Sequence, residues 1–123
     1  MRMERQEIGK LGEKLALRHL KKRGYRILDR NFRCRRGEID IVATQKDYLV
    51  FVEVRTKTTA AFGTPEESIT QTKKDHLIAT ALTYISEHQK LPPLWRIDVV
   101  AVELDHKGKG KRIEIIENAV GGS

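Results

Sequence analysis

Two apolar runs, residues 38–45 and 48–56, stand on either side of a two-residue break, Lys46-Asp47. Runs of this length, rich in Val, Ile and Phe, read as strands, and so short a link joins them as an antiparallel hairpin. The turn pairs Gln45 with Tyr48, so the residue numbers of every opposed pair sum to 93. Asp40 is then expected directly across from Glu53, with Glu38 across from Arg55 and Val42 across from Phe51 on the same face. Carboxylates opposed on neighbouring strands have Cβ atoms about 5 Å apart and repel one another. A cation, a raised pKa with one shared proton, or nearby Arg and Lys would each offset that repulsion. A hard divalent ion such as Mg2+ suits the first, because it takes oxygen from one or two carboxylates and keeps waters for substrate phosphates.

The remaining segments fit around this hairpin. Apolar residues at helical spacing predict a helix over 4–23, closed by Gly24. Its inner arc carries Ile8, Leu11, Gly12, Leu15, Ala16, Leu17 and Leu20, and its outer arc Lys10, Lys14, Arg18 and Lys21. Glu13 falls inside the apolar arc, where a carboxylate either sits at the edge, snorkelling or pairing with Lys10, or has a specific partner. A short strand near a sheet edge is expected over 25–33, then the basic turn Cys34-Arg35-Arg36-Gly37 and, after the hairpin, a loop over 58–68. A second helix over 70–89 carries Leu77, Ile78, Ala81, Leu82 and Ile85 on one face and stops at Leu91-Pro92-Pro93. Strands over 95–104 and 112–117, joined by a Gly- and Lys-rich turn, complete the chain. A three-strand meander, a crossover helix and further strands predict an α/β fold in one domain, 1–123, with a central mixed sheet flanked by helices.

The 123 residues carry a formal charge of +7, and its distribution is uneven. Residues 1–36 hold 13 basic and 4 acidic side chains, whereas the remainder holds 11 basic and 13 acidic. Such bias points to a polyanion, either nucleic acid or an anionic membrane surface, against the plainer reading of a solvated basic face. No apolar run approaches the roughly 18 residues of a spanning helix. The charged N-terminus lacks a signal-peptide core, which makes the cytoplasm the expected location, and the single Cys34 agrees with a reducing compartment. His19, His76, His88 and His106 lack zinc-ligand spacing, and Gly108-Lys109-Gly110-Lys111 reads as a turn rather than a phosphate loop. Trp95 is expected in the core. Arg96 and Asp98 share a strand face, as an internal ion pair or as the border of a site.

Gly37-Glu38-Ile39-Asp40 followed by Leu49-Val50-Phe51-Val52-Glu53-Val54-Arg55 resembles the metal-binding core of the PD-(D/E)xK nuclease superfamily, whose fold resembles restriction endonucleases. Within it the chain is most similar to the bacterial UPF0102 or YraN-like family, itself similar to archaeal Holliday junction resolvases. The resemblance also takes in Gly9, Gly12-Glu13 and Ala16, Phe62-Gly63 with Pro65-Glu66, Lys73, and Arg96-Ile97-Asp98-Val99-Val100. It implies a restriction endonuclease-like αβββαβ core with an extra C-terminal strand. It further implies Mg2+ or Mn2+ held by Asp40 and Glu53, with the Val54 carbonyl and Glu13 joining them, and phosphodiester hydrolysis on DNA, branched DNA in particular. Arg55 stands where the superfamily has Lys; it can stabilise charge but cannot take a proton from water. Lys57 or Lys73 would supply the ammonium. Lys10, Lys14, Arg33, Arg35, Arg36 and Lys57 are the expected phosphate contacts, and a homodimer would serve paired cuts. A membrane partner is disfavoured, because it leaves Asp40 facing Glu53 without a reason. The alternative is a nucleic-acid-binding protein that keeps the fold without catalysis.

Overall fold

A computed structural model describes residues 3–58 and 63–120. Phe62, noted above, lies outside the described residues. In chain order the elements are α1 (Arg5–Lys22), β1 (Arg26–Cys34), β2 (Gly37–Gln45), β3 (Tyr48–Thr58), a 3-10 turn (Glu66–Ser68), α2 (Gln71–Glu87), β4 (Leu94–Leu104) and β5 (Gly110–Ile116). The strands lie side by side in the order β1-β2-β3-β4-β5, antiparallel except for the parallel β3–β4 pair that α2 bridges. This is the expected mixed sheet, with β1 on an edge as anticipated.

β3 and β4 read as continuous apolar runs because both faces of the sheet are covered. On one face, Ala16 and Leu20 of α1 bury against Ile41, Ala43, Val50, Val52, Val100, Val102 and Leu104. On the other, Leu77, Ala81 and Tyr84 of α2 pack on Ile39, Val42, Leu49, Phe51 and Ile97. Tyr84 meets Phe32 and Phe51 edge to face, with ring centroids 4.9 and 5.6 Å apart. The inner face assigned to α2 needs one correction: Leu82 is 51% exposed, and Tyr84 takes its place in the core. Among the described residues, no helix is long and apolar enough to cross a membrane.

Element ends differ from expectation for local reasons. β3 runs on to Thr58 because β4 pairs with it as far as Thr58↔Leu104. β5 starts at Gly110 because Asp105 accepts the backbone N–H groups of Lys107 and Lys109, closing the preceding turn tightly. The expected loop over 58–68 contains the short 3-10 turn.

Asp98, 0% exposed, forms the internal ion pair with Arg96 at 3.0 Å rather than bordering a site. The Tyr25 hydroxyl donates to it at 2.9 Å and the Asn118 N–H at 3.0 Å, while the Arg96 guanidinium lies 4.8 Å from the Tyr48 ring centroid. Every buried charge here is matched, as a dry interior demands.

α1 comes unusually close to the sheet at Gly12. A Cβ built there would stand 1.9 Å from Thr56 Oγ1 and 2.9 Å from Thr56 Cβ on β3, whereas one at Gly9 would meet nothing within 4 Å. Gly12→Ala should therefore destabilise the fold by about 1–3 kcal/mol through overpacking, despite alanine's better helix propensity. Gly9→Ala should stabilise it by up to about 1 kcal/mol. Urea denaturation of the two variants checks both signs.

Candidate functional site

The hairpin register follows the expected sum from Gln45↔Tyr48 down to Ile41↔Val52, and there the ladder stops. β2 continues alongside β1 to Gly37↔Cys34, while β3 continues alongside β4, so the two strands part at Asp40 and Glu53. Alternation also breaks here. Ile39 and Val42 both pack on the α2 side, with Ile41 between them packing on the α1 side. On β1, Asn31 sits between the pairs Arg30↔Ile41 and Phe32↔Ile39 with φ 53°, a left-handed conformation that Asn tolerates.

Parting two strands leaves backbone donors without a ladder partner. Asp40 supplies one, its Oδ2 accepting the Val54 N–H at 2.7 Å. The expected direct opposition of Asp40 and Glu53 is thus corrected: the ladder ends one pair short of it. Glu38 does not face Arg55 either; it lies opposite Arg33 on β1 and forms an ion pair with it at 3.0 Å. The carboxyl groups of Asp40 and Glu53 nonetheless lie within hydrogen-bonding reach of each other. Burial, reinforced by the charge of Glu53, pushes the Asp40 carboxyl up to about 7 against the pull of the Val54 N–H.

Glu53 is 3% exposed, and its Oε2 has two cationic neighbours at 3.5 Å, Arg55 Nη1 and Lys73 Nζ. Lys73 stands in the first turn of α2, where Thr70 Oγ1 caps the helix by accepting the Lys73 N–H at 3.1 Å. Two of the three offsets expected for opposed acids are therefore present, a raised pKa and flanking cations.

A cleft of about 990 Å³ opens beside these groups, between α1 and the parted strands. The close approach at Gly12 sets Glu13 on its wall, and Glu13 Oε1 pairs with Arg30 Nη2 at 3.3 Å rather than with Lys10. Asp40, Arg55, Lys10, Arg33 and Lys57 share the wall; Lys14, Arg35 and Arg36 do not, nor do Glu53 and Lys73. Arg5 and Ser68 line it too and escaped sequence reasoning. For Arg5 the signal was its i, i+4, i+8 alignment with Gly9 and Glu13; for Ser68 none was available.

Among the described residues, no three of His, Cys, Asp and Glu gather into a metal cluster. Glu13, the third acid that the resemblance implies, shares the cleft wall with Asp40 and is paired with Arg30. Asp40 and Glu53 by themselves fit an ion of the Mg2+ type, which takes one or two carboxylates and retains most of its water.

The profile of the uncharacterised protein family UPF0102 matches residues 12–102. A UPF0102 protein of Pelotomaculum thermopropionicum is 47% identical over 115 residues, 94% of this chain and 96% of the relative. One from Dehalococcoides mccartyi is 47% identical over 121 residues, 98% of each chain. A third, from Clostridium acetobutylicum, is 43% identical over 111 residues, 90% of this chain and 91% of the relative.

The raised Asp40 carboxyl has a signed consequence for stability. Between about pH 4 and pH 7 the folded chain holds a proton that the unfolded chain has released, so this group's favourable contribution is full below pH 4 and lost as pH rises to 7. Asp40→Asn should raise the melting temperature of chelator-treated protein at pH 8, with the gain shrinking towards pH 4. Thermal melts across that range check it, and an equal or lower melting temperature at pH 8 would contradict it.

Proposed function

The chain belongs to the uncharacterised protein family UPF0102, and from that premise we propose that it is a divalent-metal-dependent endonuclease. Its reaction is phosphodiester hydrolysis in DNA, with branched, junction-like DNA as the preferred form. The observation that carries this reading is a pair of carboxylates, the half-buried Asp40 and the buried Glu53, set where two strands part beside a cleft whose wall carries five cationic side chains. The resemblance to PD-(D/E)xK nucleases supports the same chemistry. In this reading Asp40 and Glu53 would hold Mg2+ or Mn2+, as carboxylates. The bound ion supplies Lewis acidity to the phosphoryl oxygen and a water of lowered pKa.

The chain's own residues do the rest. Arg55 faces the cleft and stabilises charge on the phosphoryl group without exchanging a proton. Lys73 places an ammonium beside Glu53 and serves as the second cation of the site. Lys10, Arg33, Lys57 and Arg5 meet phosphates in the cleft, while Lys14, Arg35 and Arg36 meet phosphates beyond it. Glu13, held by Arg30, limits how near a phosphate comes on the helix side. Two copies of the chain would make the two cuts that a four-way junction requires.

A second reading, a nucleic-acid-binding protein that does not cut, rests on Arg55 and Lys73. Together they neutralise Glu53 without any metal. Incubating the protein with duplex, single-stranded, flapped and four-way junction DNA in Mg2+ or Mn2+ separates the two readings. Cutting is expected, and Asp40→Asn or Glu53→Ala should lower it by at least the roughly 10–100-fold that even outer-shell partners of a metal cost. Binding with no cutting on any substrate, or variants as active as the parent, would favour the second reading. Either way affinity should fall steeply with salt. Removing Lys10 or Lys57 should reduce the log–log slope by about 1 each, measured by fluorescence anisotropy across a salt series.

A further inference from the structure

The Pro65–Ser68 turn is held by contacts to two different strands, β5 and β3. Arg112 on β5 grips Glu66 with two parallel bonds, Nη2 to Oε2 at 2.7 Å and Nη1 to Oε1 at 3.1 Å. Glu103 and Glu114 hold the same guanidinium from either side, at 3.4 and 3.0 Å. The pair holds the Glu66 carboxyl down to about 2. Bidentate pairs of this sort fix orientation as well as distance.

Two residues further on, Ser68 donates its hydroxyl proton to the Pro65 carbonyl. A hydroxyl whose proton is committed presents its lone pairs in one direction. Arg55 Nε donates to that oxygen at 2.9 Å, and Arg55 Nη1 meets Glu53 Oε2 at 3.5 Å. Two of the three guanidinium nitrogens are thus occupied. Among the described residues Nη2 has no partner, and Arg55 lies on the cleft wall.

We propose that the Pro65–Ser68 turn is a clamp that positions Arg55, with Ser68 gripping Nε and the Arg112–Glu66 pair anchoring the turn to β5, so that the free edge of the guanidinium is presented to a phosphate in the cleft. Ser68, Glu66 and Arg112 are positioning residues; Arg55 is the one that touches substrate. The clamp explains how Arg serves where the related nucleases have Lys, because a lysine ammonium has no Nε for Ser68 to hold. Its catalytic consequence rests on the hydrolase reading above, whereas the clamp itself does not.

Two measurements on the full chain keep these apart. The first follows the Arg55 Nε–H signal by NMR of protein carrying 15N-arginine, the signal being assigned by its loss in Arg55→Lys. Its exchange with solvent should be about tenfold slower than that of exposed arginines, the worth of one hydrogen bond. Ser68→Ala and Arg112→Gln should each bring it to the exposed rate, and Ser68→Thr should retain the protection. A wild-type Arg55 signal exchanging at the exposed rate, or one indifferent to Ser68→Ala, overturns the clamp whether or not the protein cuts DNA.

The second measurement is a double-mutant cycle on cleavage. Ser68→Ala should lower kcat about tenfold with KM little changed, and should have no further effect in the Arg55→Lys background. A merely structural Ser68 would lower both backgrounds alike, and that result also overturns the clamp. Protein that cuts nothing while its Arg55 Nε–H stays protected refutes the hydrolase and upholds the clamp.

Discussion

β3 has neighbours that run in opposite directions, and the molecule turns on how far each of them follows it. β4 stays with β3 through all eleven residues, whereas β2 leaves after Val52. A sheet that parts in its middle exposes backbone polar groups inside the protein, which costs as much as a lost hydrogen bond unless a side chain intervenes. Asp40 intervenes through Val54. That hydrogen bond stabilises the parting, and it also keeps a half-buried acid beside a buried one. One contact therefore serves both the architecture and the reactive character of the site.

Around the parting, each charged group is held by an element from a different part of the chain. α1 brings Glu13 in because Gly12 lets the helix sink against Thr56. α2 brings Lys73 through its capped first turn. The 3-10 turn brings Ser68, and β5 fixes that turn from across the sheet. Buried ionic groups cost free energy to assemble, and the arrangement persists because each carboxylate finds a donor or a cation within reach. The acidic groups lie inside and the positive excess lies on the rim, a division already visible in the uneven charge of the sequence.

Much of this was legible in the residues. The Lys46-Asp47 turn fixed the hairpin register through Ile41↔Val52, and the apolar arc of α1 fell where the spacing put it. The site escaped in the places where distant segments compete for the same strand. Nothing local in residues 38–56 records that β4, some forty positions later, draws β3 away from β2. The pairing of Glu66 with Arg112 spans 46 positions, Glu38 with Arg33 is settled by β1 lying against β2, and Glu13 with Arg30 by α1 lying beside β1. Periodicity reports which face a side chain takes; it does not report which neighbour a strand keeps. Leu82 shows the limit on helices, since the face it belongs to by spacing is wider than the strip of sheet that covers it.

β1 closes one side of the sheet, and its irregularity has a bearing on how the protein behaves at high concentration. Its pairing slips between Ile27 and Asp29, Leu28 projects to solvent, and Asn31 takes a left-handed turn in mid-strand. Arg26, Arg30 and Arg33 are spaced along the same segment. A straight, uncharged edge is a template on which further strands assemble into fibres, and bends and like charges remove that template. The kink that accompanies the parting of β2 and β3 thereby also protects the chain from building sheets with copies of itself.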